Sequence, residues 1–461
     1  MLLNVFYLYL PIFSPVDEDI DYILKDWQPD QERLWYKLAH ICRRWRSLIL
    51  ASASYLRLCL LCTYRTPVAD MLAHSPPLPL IIDYYDSGHD VTIEDEEGIL
   101  LALEHRDRVR SIRLVMRVRN LQEPTTALDD EFAILECLVI TPPTEEITSL
   151  VLSKTFRAPH LRHLALSNLA CPIGSPLPTT AQAVNLVTLI LLNIPLSSHF
   201  HPNDLLQLLL HNPQLETLYI QYCSPVPNRD VEKQLLHSPM MTHITLPNLR
   251  SFMFGGTSAY LEALLPRMTT PLLETLRIEF FGQVSFPLLH LQKFISTMEN
   301  LRFSRATLTF NECIIFLSVY SHEVARMRLD MEFDCRHMGP WVASAAQIIK
   351  SLRILFLSVE DLTLEYTESN FMSPERTHEA NRSQWRDLLG SFGNLKRLQV
   401  PGDLIRALSC SLEAKDEELP MELLPELKWL SYTGRRDGGD TFTKFIASRQ
   451  NAGHPVVLIN D

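Results

Sequence analysis

The hexapeptide LETLYI, residues 215–220, decides the fold because the spacing of its apolar residues returns along the chain. Leu215, Leu218 and Ile220 stand at positions i, i+3 and i+5. The last two are two residues apart, so a short β-strand points both side chains to one side. The first leucine turns the chain into that strand. The spacing therefore predicts a repeating unit that contains one short strand.

Copies of this spacing continue over most of the sequence. Clear copies are LRHLAL (161–166), LVTLIL (186–191), LRSFMF (249–254), LETLRI (273–278), LKRLQV (395–400) and LKWLSY (427–432). Weaker copies are VRSIRL (109–114), LECLVI (135–140), VARMRL (324–329) and VEDLTL (359–364). Successive copies lie roughly 20 to 36 residues apart, which overlaps the period of leucine-rich repeats. Chance LxxL fragments in a leucine-rich chain are the alternative.

Amphipathic segments between the copies complete the predicted repeat. HPNDLLQLLLHNP, residues 201–213, is one of them, with Asn203 or Asp204 as the predicted N-cap. One strand and one helix cannot bury their apolar faces alone, whereas a stack of such units can. We predict an α/β fold, with a helical N-terminal motif followed by an irregular leucine-rich-repeat solenoid. Its parallel strands line the concave side and its helices the convex side.

Composition narrows the classes of function. The chain has 461 residues, a formal net charge of -12 and only 14 glycines against 30 prolines. The acidic balance argues against a nucleic-acid surface, and few glycines are available for a phosphate-binding loop. The arginine-rich stretch RDRVRSIRLVMRVRN, residues 106–120, is the local exception. We interpret it as a solvated, charged sheet edge, with a surface for an acidic partner as the alternative.

Cysteine usage and hydropathy bear on location. Nine cysteines without regular spacing do not form a disulfide framework, so we expect a reducing compartment, the cytoplasm or the nucleus. The pair Cys59 and Cys62 lacks the further ligands of a zinc site, so no metal is expected. The apolar start MLLNVFYLYLPIF has no basic region before it, and no later apolar run reaches membrane-spanning length.

Catalytic signatures are missing from the sequence. It contains no P-loop, no GxSxG, no HExxH and no GxGxxG that opens a helix. We therefore expect a protein that is not an enzyme and that needs no cofactor.

The stretch KLAHICRRWRSLIL, residues 37–50, has another character. Its apolar residues recur at spacings of three and four, which predicts one face of a helix over residues 31–50. Arg43, Arg44 and Arg46 lie on the other faces. A core helix with a basic solvent face is the simple interpretation.

This stretch resembles the F-box, a three-helix motif of about 45 residues marked by an apolar helix of the form l..VcrrWr.l. Leu38, Ile41, Cys42, Arg43, Arg44, Trp45, Arg46 and Leu48 stand in those places. Residues 1–90 as a whole are similar to the start of fungal F-box proteins with degenerate leucine-rich repeats. The Leu-Pro pair that usually opens an F-box is absent, and about 25 residues intervene where relatives have a shorter link.

The resemblance implies a binding function. F-box proteins dock on the Skp adaptor of a cullin-RING ubiquitin ligase of the SCF type and present a protein substrate through the distal domain. The adaptor-binding residues implied for this chain are Leu3, Val5, Phe6, Leu8, Leu38, Ile41, Cys42, Trp45 and Leu48. Trp45 is the expected anchor because buried tryptophans dominate such interfaces.

The predicted organisation has three parts. Residues 1–60 form the F-box-like motif with an acidic insertion, 61–105 a connecting or capping segment, and 106–461 the solenoid. A repeat scaffold without any ubiquitin-ligase role is the alternative function. Candidate substrate contacts are the polar positions in and beside the strands: Arg162, His163, Glu216, Thr217, Glu274, Arg277, Lys396 and Arg397.

Overall fold

A computed structural model gives the architecture of the chain. It describes residues 40–51, 58–85, 91–142, 150–153, 155–169, 185–195, 198–223, 243–281, 288–297, 303–311, 314–321, 328–334, 341–367, 382–412, 423–433 and 442–460. The described chain divides into two compact units, Met1–Phe200 and His201–Asp461. The boundaries predicted from the sequence, near residues 60 and 105, remain predictions.

Strands and helices alternate in both units. The strands are β1 Leu60–Cys62, β2 Leu80–Tyr85, β3 Val109–Val115, β4 Cys137–Ile140, β5 His163–Ser167, β6 Thr188–Ile194, β7 Thr217–Tyr222, β8 Ile244–Thr245, β9 Ser251–Gly256, β10 Met268–Thr269, β11 Thr275–Phe280, β12 Arg305–Phe310, β13 Ile314–Tyr320, β14 Arg328–Asp334, β15 Asp361–Tyr366, β16 Arg397–Pro401, β17 Trp429–Thr433 and β18 Val457–Asn460.

The helices are α1 Arg43–Ala51, α2 Val68–His74, α3 Ile93–Glu104, α4 Val118–Ala127, α5 Pro202–Leu210, α6 Ser258–Leu264, α7 Leu289–Ser296, α8 Trp341–Ser351, α9 Arg353–Phe356, α10 Arg382–Leu389, α11 Ile405–Leu412 and α12 Thr443–Asn451. Among the described residues, Leu265–Arg267 and Gly402–Leu404 form short 3₁₀ turns.

The LxxLxL spacing sets where the strands begin. In LETLYI, strand β7 starts two residues after Leu215, and Leu215, Leu218 and Ile220 are all fully buried. Strands β5, β6, β9, β11, β16 and β17 likewise start two residues after the first leucine of their copies. The structure therefore confirms the predicted repeat of strands within a mixed α/β architecture.

The first unit holds one parallel sheet in the order β1-β2-β3-β4-β5-β6. Strands β1 and β2 belong to this sheet although they precede the first LxxLxL copy. Both faces of the central strands are buried, as the continuous burial of Cys137–Ile140 shows. Parallel strands that are covered on both faces carry near-continuous apolar runs, and CLVI in β4 is such a run.

The second unit holds a sheet in the order β7-β9-β11-β14-β13-β12-β15-β16-β17-β18, and a separate pair of β8 with β10. Adjacent strands in this sheet run parallel to each other except at β13. Strand β13 runs antiparallel to both β12 and β14. The prediction of parallel strands alone is therefore wrong at this place, because two hairpin connections reverse the local strand order and join β14 to β11.

The alternating burial of this second sheet separates a core face from an open face. Residues of β11 and β12 alternate between half-buried and buried along the strand. The buried set packs towards the helices: the Trp385 ring of α10 lies edge-on to the Phe310 ring, with centroids 5.8 Å apart. In β9, the Phe254 ring stacks on Tyr260 of α6 at 5.6 Å. The half-buried residues that alternate with them lie on the opposite face of the sheet.

The arginine-rich stretch 106–120 has a different role from the one its composition predicts. It forms β3, which lies between β2 and β4 and is therefore not a sheet edge. The Arg113 side chain is buried, and its Nε lies 3.6 Å from the carboxylate of the equally buried Asp83. Arg108 donates two hydrogen bonds to the carbonyl of Leu78, and Arg110 pairs with Glu136. These three arginines therefore bind acceptors on neighbouring strands and turns of the first unit.

Two predicted helix starts differ from the structure. Helix α1 begins at Arg43, after a turn at His40 and Ile41, so the continuous helix predicted over residues 31–50 does not reach back through residues 40–42. Helix α5 begins at Pro202 with His201 as its N-cap, two residues before the predicted N-cap Asn203 and three before the alternative Asp204. The His201 Nδ1 accepts from the Asn203 N–H, while the Asp204 carboxylate accepts from the His201 N–H. This reciprocal capping explains the earlier start.

Two buried thiols lead to a prediction about pH. Burial raises the pKa of both the Cys62 and the Cys137 thiol from 9.0 to about 12. Between these values the folded chain keeps protons that the unfolded chain loses, so the free energy of unfolding falls as the pH rises. Each thiol contributes up to about 1.4 kcal/mol per pH unit. Urea unfolding across this pH window measures the slope, which the double variant Cys62→Ala/Cys137→Ala reduces.

The same thiols are expected to resist alkylation. At about pH 8, iodoacetamide modifies the exposed Cys42 of the native chain well before Cys62 and Cys137, because thiolate is the reactive form. Peptide mass spectrometry locates each modification. Equal rates at the three cysteines would contradict the burial and the raised pKa of the two core thiols.

Candidate functional site

The open face of the second unit is formed by alternate residues of strands β11 to β16, on the side of the sheet away from the helices. Strand register groups these residues into three rows that run across the strands. Two rows hold one residue from each of the six strands, the third row ends at β15, and successive rows are two residues apart along a strand. Because the backbone fixes the register, the order of side chains within each row is set by the fold.

The arginine row lies at the starts of the parallel strands. It runs through Thr275, Arg328, Tyr320, Arg305, Asp361 and Arg397, and continues to Trp429 of β17. Asp361 lies between two arginines, 3.3 Å from Arg305 and 3.7 Å from Arg397. The Arg397 guanidinium also lies 5.4 Å from the centroid of the Trp429 ring. With three arginines and one aspartate, this row is positively charged.

The glutamate row lies four residues further along the strands. It runs through Glu279, Glu332, Phe316, Thr309 and Glu365. Glu279 and Glu332 are direct register partners on adjacent strands, an arrangement in which like charges repel. The Phe316 ring stands between Glu332 and Thr309 and is 37% exposed, although it is a large apolar side chain. This row is therefore negatively charged, with an aromatic ring at its centre.

The middle row separates the two charged rows. It runs through Arg277, Asp330, Ser318, Thr307, Thr363 and Gln399. Ser318 donates a hydrogen bond of 2.7 Å to Asp330, and Asp330 also pairs with Arg328. From β13 to β15 the row holds only short hydroxyl side chains. The open face thus has a low floor between a basic edge and an acidic edge.

Gly255 leaves room for a side chain that binds one end of the glutamate row. The Gln221 side chain of β7 crosses strand β9 at this residue and donates a 2.8 Å hydrogen bond to Glu279. A Cβ atom at Gly255 would lie 2.6 Å from the Gln221 Cγ, so a larger residue would displace that side chain. At the other end of the row, Thr309 donates a 2.9 Å hydrogen bond to Glu365. Neighbouring side chains therefore orient both terminal carboxylates.

The predicted adaptor-binding residues are only partly within the described chain. Leu3, Val5, Phe6, Leu8 and Leu38 lie outside the described residues. Ile41 and Cys42 are exposed and precede α1, and the Cys42 Sγ accepts a hydrogen bond from the Trp45 N–H. Trp45 and Leu48 are half-buried within α1, whose fully buried residue is Ile49. The role of these residues in adaptor binding stays a prediction.

The eight candidate substrate contacts divide between the two units. Thr217, Arg277 and Arg397 lie on the sheet face of the second unit that includes the open face. Glu216, Glu274 and Lys396 immediately precede their strands. In the first unit, Arg162 is exposed and precedes β5, while His163 is half-buried, with its Nδ1 3.2 Å from the Thr188 hydroxyl.

Sequence reasoning missed the residues of the hairpin strands, Phe316, Ser318, Tyr320 and Glu332. The alternating apolar residues of IIFLSVY were the available signal, because that pattern is typical of a half-exposed strand. This alternating pattern does not match the LxxLxL spacing, so that spacing does not predict the strand.

The described ranges also bear on metal sites and membrane spans. No group of three or more His, Cys, Asp and Glu side chains is arranged there to hold a metal ion. None of the helices in that part of the chain combines the length and apolarity required to cross a membrane.

Comparisons with known proteins do not assign the chain to a family. No protein-family model matches the sequence, and no curated protein matches it either. Among solved structures, the leucine-rich-repeat-containing protein LegL7 from Legionella pneumophila aligns over 82% of this chain and 99% of its own length. The two are 13% identical, and the TM-score is 0.28. The repeat architecture described above therefore stands on the strands, register and buried leucines of this chain.

Proposed function

We propose that this chain is a protein-binding scaffold without catalytic activity, and that its partner binds the open face of the second unit. The observation that carries the proposal is the open face itself, which presents two charged rows across adjacent strands and the exposed ring of Phe316. Aromatic and arginine side chains are enriched where proteins bind one another. The sequence supports a binding role because it lacks the common catalytic motifs.

A photo-crosslinking experiment tests the location of the partner. Benzoylphenylalanine is introduced at Thr307 or Thr363 on the open face, and at the exposed Lys350 of α8 as a matched control on the helical side. After irradiation in cells, we expect a discrete crosslinked species at the two threonine positions and none at Lys350. Identical species at all three positions, or crosslinks at Lys350 alone, would refute an open-face function.

The F-box resemblance supports a more specific role for the chain. In that role it recruits a protein substrate to an SCF-type ubiquitin ligase, docking on the Skp adaptor and through it on the cullin. The feature that favours this role is the stretch around α1, where Ile41 is 58% exposed and Arg43, Arg44 and Arg46 face solvent. A cytoplasmic or nuclear location accords with it. A scaffold without the ligase remains the alternative.

Co-purification with the Skp adaptor tests the ligase role. We expect wild type to form a one-to-one complex, and Trp45→Ala to weaken it by about 2 kcal/mol or more, as for an interface anchor. Ser47→Ala, at an exposed position of the same helix, is the matched control and is expected to bind like wild type. If wild type fails to bind, and a chain with a Leu-Pro-containing start added fails as well, the adaptor role is refuted and the alternative of a scaffold without the ligase is kept.

A further inference from the structure

The spacing of the charged rows limits what can bind between them. Four residues separate the arginine row from the glutamate row along each strand, which corresponds to about 13 Å. From β11 to β16 the face crosses five strand intervals, or about 24 Å. The space between the rows is therefore a trough about 13 Å wide that runs across the strands. This inference rests on the proposed function, because it concerns the partner of the same face.

The floor of the trough permits close approach of a partner backbone. Ser318, Thr307 and Thr363 occupy its centre, and none of them extends beyond a hydroxyl or methyl group. Longer side chains, Arg277 and Gln399, stand only towards its ends. The floor is also without net charge, since Arg277 and Asp330 are register partners of opposite sign. A partner can thus lie low in the trough and meet the charges at its sides.

The two sides of the trough attract opposite charges. Arg328, Arg305 and Arg397 line one side and outnumber the single Asp361 of that row. Glu279, Glu332 and Glu365 line the other side. A cation placed over the glutamate row would meet the carboxylates of Glu279 and Glu332, and the exposed Phe316 ring offers it a cation–π contact. An anion over the arginine row would meet guanidinium donors.

We propose that the open face binds one α-helix of a protein partner, lying across the strands in the trough. The helix carries acidic side chains along one edge, against the arginine row, and basic side chains along the other, against the glutamate row. A helix with its side chains is about 10 to 12 Å wide, which matches the width of the trough. Roughly sixteen residues would span its length.

An extended segment fits the same surface less well. Lying across the strands, it occupies a width of about 4.8 Å and reaches one charged row at a time. Lying along a strand, it meets both rows but crosses only one or two of the six strands. A helix is the regular element that contacts both rows along their whole length.

Two synthetic peptides of identical composition test the proposal. Both are alanine-rich helices of about sixteen residues. In the patterned peptide, glutamates follow one edge and arginines the other, whereas the isomer mixes both charges on both edges. Fluorescence anisotropy with the full chain is expected to show at least about tenfold tighter binding of the patterned peptide. This preference should shrink when salt is raised from about 50 mM to about 500 mM, because exposed charges are screened.

Charge-neutral variants assign the preference to the two rows. Glu279→Gln/Glu332→Gln and Arg305→Gln/Arg328→Gln are each expected to weaken the patterned peptide about tenfold or more. The matched controls remove equal charge elsewhere: Glu94→Gln/Glu97→Gln on α3, and Lys350→Gln/Arg353→Gln on α8 and α9. These controls should bind as wild type does. Circular dichroism establishes that every variant is folded.

The outcomes separate this inference from the function on which it rests. Equal binding of the two peptides, or equal loss in the row variants and the controls, would overturn the helix assignment. If crosslinks at Thr307 and Thr363 are then still obtained, the open face binds a partner of other chemistry. If those crosslinks are absent as well, the proposed function itself falls.

Discussion

Replacing Trp385 by alanine is expected to lower the free energy of unfolding of the second unit by about 3–5 kcal/mol. The side chain is fully buried on α10, and its ring meets Phe310 of β12 edge-on at 76°. Alanine removes the whole indole, and a rigid sheet closes such a cavity only in part. The lost packing lies between α10 and β12, in the middle of the second sheet.

Hydrogen exchange measured by mass spectrometry localises this effect. We expect the amides of β12 and β15 to exchange faster in Trp385→Ala, with a smaller change in Trp385→Phe, which keeps one aromatic ring. Asp387→Ala is the matched control, because this residue is exposed on the same helix and its loss should cost no more than about 0.5 kcal/mol. A similar change in all three variants would show that Trp385 is not a core residue.

The second large effect is expected at Arg449, a charged residue that is 0% exposed. Its Nη2 donates hydrogen bonds of 3.1 Å to the carbonyls of Pro425 and Leu427, just before β17. Burial lowers the pKa of this guanidinium, but arginine stays charged at every relevant pH. Arg449→Ala leaves the buried carbonyl of Leu427 and the part-buried carbonyl of Pro425 without this donor, and it removes the packed alkyl chain. We expect a loss of about 3 kcal/mol.

Arg449→Met distinguishes the two contributions. Methionine keeps most of the volume and loses both hydrogen bonds, so the difference between the methionine and alanine variants reports the packing. Urea unfolding followed by circular dichroism measures both. Stability equal to wild type in Arg449→Met would show that the two hydrogen bonds contribute nothing net, as occurs for some buried charges that apolar residues replace.

The strands that follow an LxxLxL copy were predictable from local sequence, and the partners of the charged residues were not. LETLYI specified a strand because Leu218 and Ile220 had to face one side. The same reasoning placed Arg113 on a solvated sheet edge, because its carboxylate partner Asp83 lies 30 residues earlier and is brought close only by the pairing of β2 with β3. Hydrophobic periodicity is a local property, while ion pairs between strands depend on the register.

The candidate site shows the same division. Arg277 and Arg397 were identified because they fall within LxxLxL copies. Phe316 and Glu332 were not, because the hairpin strands follow another pattern and their places in the sheet depend on a reversed order. The rows themselves depend on the strand register, which places Glu279 beside Glu332 and Arg305 beside Asp361.

The reversed order of β12, β13 and β14 also has a consequence for how the second unit folds. These strands pair with their immediate neighbours in sequence, so little chain entropy is lost in bringing them together. The parallel pairs on either side, β11 with β14 and β12 with β15, join strands that are separated in sequence by at least one helix. We expect the two hairpins to form early and to act as a template on which β11 and β15 add from opposite sides, so that the second sheet grows outward from its middle.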